Sequence, residues 1–254
     1  MHNRSILKRP RLSRRVYVLI LLVVLIGGGY AAIRLFGLTQ SNSTAYIRRW
    51  FSFPESRAEL ITAREQIACP GAPFILPTDG LIGLLWRDPV GPYTVWNPHT
   101  GLDIFGDGDP GRVPVYAAYG GYLTRLSDWV SSVIIRHEDP LQPGRTIWTY
   151  YAHMAAQGGE SYIENDFPPG SSEIRVEQGT LLGYQGEYNG SNPRPVGLHL
   201  HFSVVLSDET GAFLNETRIA NTLDPSPYLG MTVNNAALPQ RPHHLRVLMI
   251  VGTC

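Results

Sequence analysis

Cysteine is nearly missing. Only Cys69 and Cys254 occur in 254 residues, too few for a CxxC-type zinc cluster. An excess of charge is missing too. Lys+Arg and Asp+Glu both number 21, so the formal net charge is zero. That balance offers no basic field, and nucleic acid is not expected as a partner. A long amphipathic helical pattern and an internal repeat are also lacking, which argues against a helix bundle. What is plentiful is glycine (26) and proline (20), set among Val, Ile, Tyr and Thr. Such a mixture predicts short strands joined by turns.

Charge is unevenly distributed. Residues 1–15 hold six Lys/Arg and no acid, and residues 16–33, VYVLILLVVLIGGGYAAI, hold no charge at all. As a helix, a run of that length rises about 27 Å, close to the hydrocarbon thickness of a bilayer. Arg34 can snorkel and extend the span to Leu38. The basic flank then stays cytoplasmic and sends the rest of the chain across the membrane. A cleavable signal peptide is the rival reading, with the small residues of GGGYAA after a short apolar core. The uncleaved anchor is preferred. Both place the bulk of the chain outside the cytoplasm, where Cys69 and Cys254 could pair, although a terminal residue is often mobile.

The organisation expected is a basic cytoplasmic tail over 1–15 and a transmembrane anchor over 16–38. A juxtamembrane linker with a short helix follows over 39–70, then a main domain over 71–230 and a C-terminal tail over 231–254. The short helix is expected over 54–68, where Pro54 suits a first turn. In the main domain, SSVIIRH and RTIWTYYAHM flank the turn-rich EDPLQPG as a hairpin. EIRVEQGTLLGYQG suggests two short strands around a glycine turn, and LHLHFSVVL another strand. The tail's HLRVLMIVG could add an edge strand. The fold class expected is mostly β.

Of eight histidines, His2, His243 and His244 lie near the termini, where solvation is the plain reading. His137 ends an apolar strand and suits a hydrogen-bonded or exposed imidazole. Four remain. Residues two apart on a strand share a face, so His199, His201 and Ser203 lie together, opposite Leu198, Leu200, Phe202 and Val204. The apolar face belongs in the core and the histidine face in a cleft. Two imidazoles so spaced, with Cα atoms about 6.6 Å apart, strain to share one ion. One is expected to bind and the other to stand beside it. His99 and Asp103 are four apart, but Pro98, Thr100 and Gly101 argue against a helix. A turn through Thr100–Gly101 would bring them together. His153 ends the hairpin strand.

His99, Asp103 and His201 then form a nitrogen/oxygen set that suits zinc, with a fourth position open as in catalytic sites. Such an ion lowers the pKa of its water and polarises a carbonyl. His153 and His199 would move protons or steady an oxyanion. Asp107 and Asp109 hint at calcium, but a solvated turn is the plainer reading.

At these residues the sequence resembles the lysostaphin-type, or LytM-like, zinc endopeptidases of peptidoglycan. The resemblance covers about residues 72–230. FILPTDGLIGLLWRD, HTGLDI, VPVYAAYGGYLTRL, IIRHEDPLQPGRTIWTYYAHM, VEQGTLLGYQGEYNG, GLHLHF and LDPSPYL follow the family's motifs in order. It implies an antiparallel β-sheet core, the duplicated hybrid motif, with long loops lining a zinc cleft. It implies one Zn2+ held by His99, Asp103 and His201, and His153 and His199 as catalytic histidines. Tyr93 stands where some members carry a transition-state tyrosine, and a plain loop aromatic is an equal reading. The loops 157–173 and 189–197 could wall the cleft. The function implied is hydrolysis of peptide cross-links in peptidoglycan by a single-pass membrane protein with its domain extracytoplasmic. The alternative is a non-catalytic LytM-like regulator of a cell-wall amidase.

Overall fold

The computed structural model describes residues 13–39, 43–64, 71–190, 192 and 194–231, without the side chains of 31–39. The Cys69–Cys254 pairing, the tail beyond Met231, and His2, His243 and His244 lie outside the described residues.

The chain forms two compact units, Met1–Gln40 and Ser41–Cys254. Among its described residues the first contains one helix, α1 (Arg14–Thr39). Its apolar side chains are exposed, Leu19, Val23 and Ile26 among them. Among the described residues no helix is long and apolar enough to cross a membrane. The span expected over 16–38 is therefore a helix here, but the structure does not supply a membrane-crossing segment, and its last side chains are outside the described set.

The second unit opens with α2 (Ser43–Ser52), a 3-10 turn (Pro54–Ser56) and α3 (Arg57–Leu60). Within the stretch expected as a linker, residues 43–60 are thus folded. Trp50 and Leu60 are buried with Leu81 and Phe105, and Tyr46, Ile47 and Ile61 pack around them. Tyr46, Ile47 and Trp50 recur at helical spacing, so one stripe of α2 is apolar. The short helix expected over 54–68 ends early, at Leu60, where Ile61 turns extended.

Ten strands follow among the described residues: β1 (Leu81–Ile82), β2 (Leu102–Phe105), β3 (Pro114–Tyr116), β4 (Gly121–Thr124), β5 (Val133–Glu138), β6 (Thr146–Ala152), β7 (Ile174–Val176), β8 (Leu181–Tyr184), β9 (Leu200–Leu206) and β10 (Thr222–Leu223). The main sheet has the order β1-β2-β9-β6-β5-β4-β7, with β10 also on β9. Its pairs are antiparallel. The mostly β expectation holds. β5 and β6 form the expected hairpin, Val133 opposite Tyr151 and Glu138 opposite Thr146. β7 and β8 flank the expected glycine turn at Gly179 (φ 83°, in the left-handed region) but do not pair with each other. β7 joins β4, and β8 joins β3 in a second, two-stranded sheet.

Strand alternation sorts the sheet into two faces. Leu102, Ile104, Val133, Ile135, Ile147, Tyr151, Leu200, Phe202 and Val204 enter the main core. Leu198 precedes β9 and is only half-buried. The opposite face is not simply open. Ile134, Trp148 and Val205 form a smaller cluster there, with Tyr150 and Phe213 packed against it. Asp103, His201 and Ser203 belong to this second face, so the site sits at the end of a covered surface. The loop 157–173 does not wall the cleft. Ile163 and Phe167 plug into the core instead, and Arg125 ties the loop down through the Phe167 carbonyl (2.9 Å) and Ser161 Oγ (3.0 Å).

Candidate metal centre

β2 and β9 bring the first two ligand candidates together by register. Asp103 stands directly opposite His201. His99 approaches on the turn before β2, its amide donating to the Asp88 carbonyl (3.0 Å) and its carbonyl accepting from Arg87 (2.8 Å). Gly101 makes that turn feasible. A Cβ there would lie 2.3 Å from the Phe202 carbonyl oxygen and 2.5 Å from Ser203 Oγ. Only a residue without a side chain lets the turn press this closely on β9.

The donor atoms converge. His99 Nε2 lies 3.0 Å from Asp103 Oδ1 and 3.0 Å from His201 Nδ1, and His201 Nδ1 lies 2.8 Å from Asp103 Oδ1. All three residues are buried, and together they could hold a metal ion. Their outer nitrogens are tied. His99 Nδ1 donates to the Leu85 carbonyl (3.1 Å), and His201 Nε2 faces Ser203 Oγ (2.8 Å). A carbonyl only accepts, so the neutral His99 carries its proton on Nδ1 and turns a lone pair inward. With His201 donating to Ser203, three lone-pair donors face one another, an arrangement a cation relieves. Bonds of about 2.0–2.1 Å at tetrahedral angles set donors about 3.3 Å apart, close to what is seen. Electrostatics agree. Burial opposes charge on both partners, yet the Asp103 carboxylate raises the His99 pKa, and His99 and His199 hold Asp103 well below the usual carboxylate range. The centre therefore favours positive charge.

His153 and His199 stand beside this triad. Their rings lie 4.4 Å apart, and His199 Nε2 is 3.8 Å from Asp103 Oδ1. Each is aimed by a backbone carbonyl: His153 Nδ1 by Tyr188 (2.7 Å) and His199 Nδ1 by Gly197 (2.9 Å). Both rings thus keep Nε2 as the unprotonated edge. Burial, reinforced by neighbouring imidazoles, pushes His153 down to about 3, and burial also lowers His199. His153 adopts a left-handed backbone (φ 70°), uncommon for a residue with a side chain. Phe105 stacks on the His199 ring at 5.0 Å and fixes its plane.

Tyr93 packs against the His99 ring at 4.7 Å. Burial, then the Asp103 charge, raises its pKa, so the phenol keeps its proton and remains a donor. All six residues singled out in the sequence are therefore in one place. His137 is elsewhere. It is buried in β5, with Nδ1 on the Gly120 carbonyl (2.8 Å) and Nε2 on Thr149 Oγ1 (2.8 Å). Asp107 pairs with Arg57 (3.1 Å), and among the described residues only the His99, Asp103 and His201 group has the make-up of a metal site.

Two cavities meet at the centre. One, of about 460 Å³, is walled by α2, Asn189, Val196, Tyr93, His153 and His199. The other, of about 340 Å³, is lined by Tyr93, Tyr150, His153, His201, Glu216 and Thr217. Asn189 and Val196 bear out the 189–197 loop as a wall. The contributions of α2 and of residues 216–217 were not foreseen. The α2 wall has a signal in the apolar stripe of 46–51, whereas nothing local marks Glu216.

No protein-family model and no curated protein matches the sequence. Among solved structures, part of the chain is similar to lysostaphin-type and LytM-like proteins. A LytM protein of Ruminococcus gnavus, described as a candidate glycyl-glycine endopeptidase, is 23% identical over 51% of this chain and 45% of that one, with a TM-score of 0.34. Lysostaphin of Staphylococcus simulans, described as an antimicrobial peptidase, is 20% identical over 57% and 48%, with a TM-score of 0.37. The catalytic domain of the prophage-encoded M23 protein EnpA of Enterococcus faecalis, as a variant, is 21% identical over 48% and 78%, with a TM-score of 0.30. The matched region spans less than half of the first two chains. Likeness at this level says nothing about activity, which has to be read from the residues of this chain.

Proposed function

We propose that the chain is a zinc metallo-endopeptidase that hydrolyses peptide cross-links of bacterial peptidoglycan. The observation that carries this reading is the pairing of two sets at one cleft. Three buried donors face inward, His99 Nε2, Asp103 Oδ1 and His201 Nδ1, and two further imidazoles beside them keep Nε2 unprotonated. A purely structural metal site has no use for the second set.

A zinc ion there would supply Lewis acidity and an acidified water. The chain's own groups supply the rest. His153 and His199, held neutral by burial, accept the proton of the attacking water and return it to the departing amine. The Tyr93 phenol, kept protonated, donates to the oxyanion that develops on the scissile carbonyl. The carbonyls of Tyr188 and Gly197 keep the two bases in one tautomer throughout.

Membrane anchoring through residues 16–38 and an extracytoplasmic domain belong to the same proposal. They rest on the sequence, a basic flank followed by an uncharged apolar run.

The test is metal content with release of soluble peptides from purified cell walls. The expected outcome is one zinc per chain and peptide release. His153→Ala should keep the zinc and lose about 10²–10⁴-fold in rate. Absence of zinc, or unchanged release by His153→Ala, defeats the mechanism. Bound zinc without release, together with recovery of an amidase in a pull-down, would instead favour a regulator of that amidase.

A further inference from the structure

The two cavities that meet at Tyr93 and His153 each hold one charged side chain outside the metal centre, and the signs are opposite. In the larger it is Arg48, on the exposed side of α2. Apart from Asp103 and the two histidines, every other residue of that lining is neutral. In the smaller it is Glu216, among neutral partners that include Tyr150 and Thr217. Other charged side chains of this region are committed: Arg49 to Glu59, and Arg57 to Asp107 (3.1 Å). Among the described residues neither Arg48 nor Glu216 takes part in an ion pair. Glu216 nevertheless acts on the site. Its charge is felt by both Tyr93 and Tyr150. One cation and one anion thus stand in two separate cavities that both border Tyr93 and His153.

We propose that Arg48 and Glu216 are specificity-determining residues that fix the direction in which a peptide lies across the centre. Arg48 takes a carboxylate on one side of the scissile bond, and Glu216 takes an amino group on the other. The substrate class is a peptide that carries both a free acid and a free side-chain amine. Arg suits the first task because its planar fork can pair a carboxylate bidentately. α2 is then part of the substrate site rather than a spacer. The proposal rests on the hydrolase reading for the position of the scissile bond, and its test separates the two.

The probe is a soluble peptidoglycan stem peptide with free carboxylates and one free side-chain amine. It is compared with its amidated and its N-acetylated derivatives. Binding to the full chain is measured by titration, alongside peptide release from walls given the same two treatments. In the unaltered protein each modification should weaken binding about tenfold, the loss expected for one charge-assisted contact. Arg48→Gln should bind the native and amidated peptides within twofold while still discriminating against acetylation. Glu216→Gln should show the reverse pattern. Both variants should keep the unfolding midpoint, since neither side chain is buried.

If the variants discriminate as the unaltered protein does, if that protein ignores both modifications, or if no stem peptide binds, the proposal is overturned. Discriminating binding without release from walls upholds the two charged subsites and sinks the hydrolase reading. Release that is indifferent to Arg48 and Glu216 does the opposite.

Discussion

Ser203 is a small residue with a large task. Its Oγ lies 2.8 Å from His201 Nε2 and is fully buried. With Nδ1 turned to the metal position, Nε2 carries the proton and Ser203 accepts it. Replacing Ser203 by Ala should leave a buried N–H unpaired and let the ring tilt. Zinc affinity is expected to fall about 10–100-fold, the usual effect of losing a group that orients a ligand. A competition titration against a chelator reads this directly, and unchanged affinity would show that Ser203 does not orient the ring. Period-two spacing already put Ser203 on the face of His199 and His201, so this much was legible in one stretch of nine residues. The carbonyls of Leu85, Tyr188 and Gly197 were not, because any residue type offers a carbonyl. Their positions follow from loop geometry, which no local pattern encodes.

Among the elements, α2 differs most from its sequence reading. It lies in the stretch expected as a juxtamembrane linker, and its apolar stripe decides where it packs. Trp50 is 1% exposed and packs with Leu60, Leu81 and Phe105. Phe105 in turn stacks on His199. Trp50→Ala should cost about 3–5 kcal/mol of local packing. Amide hydrogen exchange should show residues 43–60 losing protection while β6 and β9 keep theirs. Uniform loss across the sheet would mean that α2 is not a separable layer. The strands were more legible. β5, β6 and β9 alternate β-branched or aromatic residues, and their hairpin turn is rich in Pro and Gly. The separation of β7 from β8 into two sheets was hidden, because sequence neighbours need not pair.

The molecule as a whole should respond to acid through His137. Far from the metal centre, it is 3% exposed and burial pushes its pKa down to about 4. The unfolded chain binds a proton near pH 6.5, but the folded one refuses it until about pH 4. Its contribution to stability is complete above about pH 6.5 and is lost as the pH falls toward 4, a total of about 3 kcal/mol. His137→Gln should flatten the plot of unfolding free energy against pH by that amount across this window. Denaturant titrations at pH 7 and pH 4.5 on both proteins check it. Parallel plots would show that His137 is not the responsible group.

β9 has a further consequence. It alone links β1 and β2 to β6, and through β6 to β5, β4 and β7. It also carries His201 and follows directly on His199. Among the described residues it is nearly the last strand to be made, with β10 alone after it. In the sheet order, β2 with Asp103 and β6, just before His153, are joined through β9. The strand that joins the two parts of the sheet and the strand that completes the candidate metal centre are the same. A copy cut before residue 199 would lack one of the three donors His99, Asp103 and His201, so the candidate metal centre cannot precede the complete sheet.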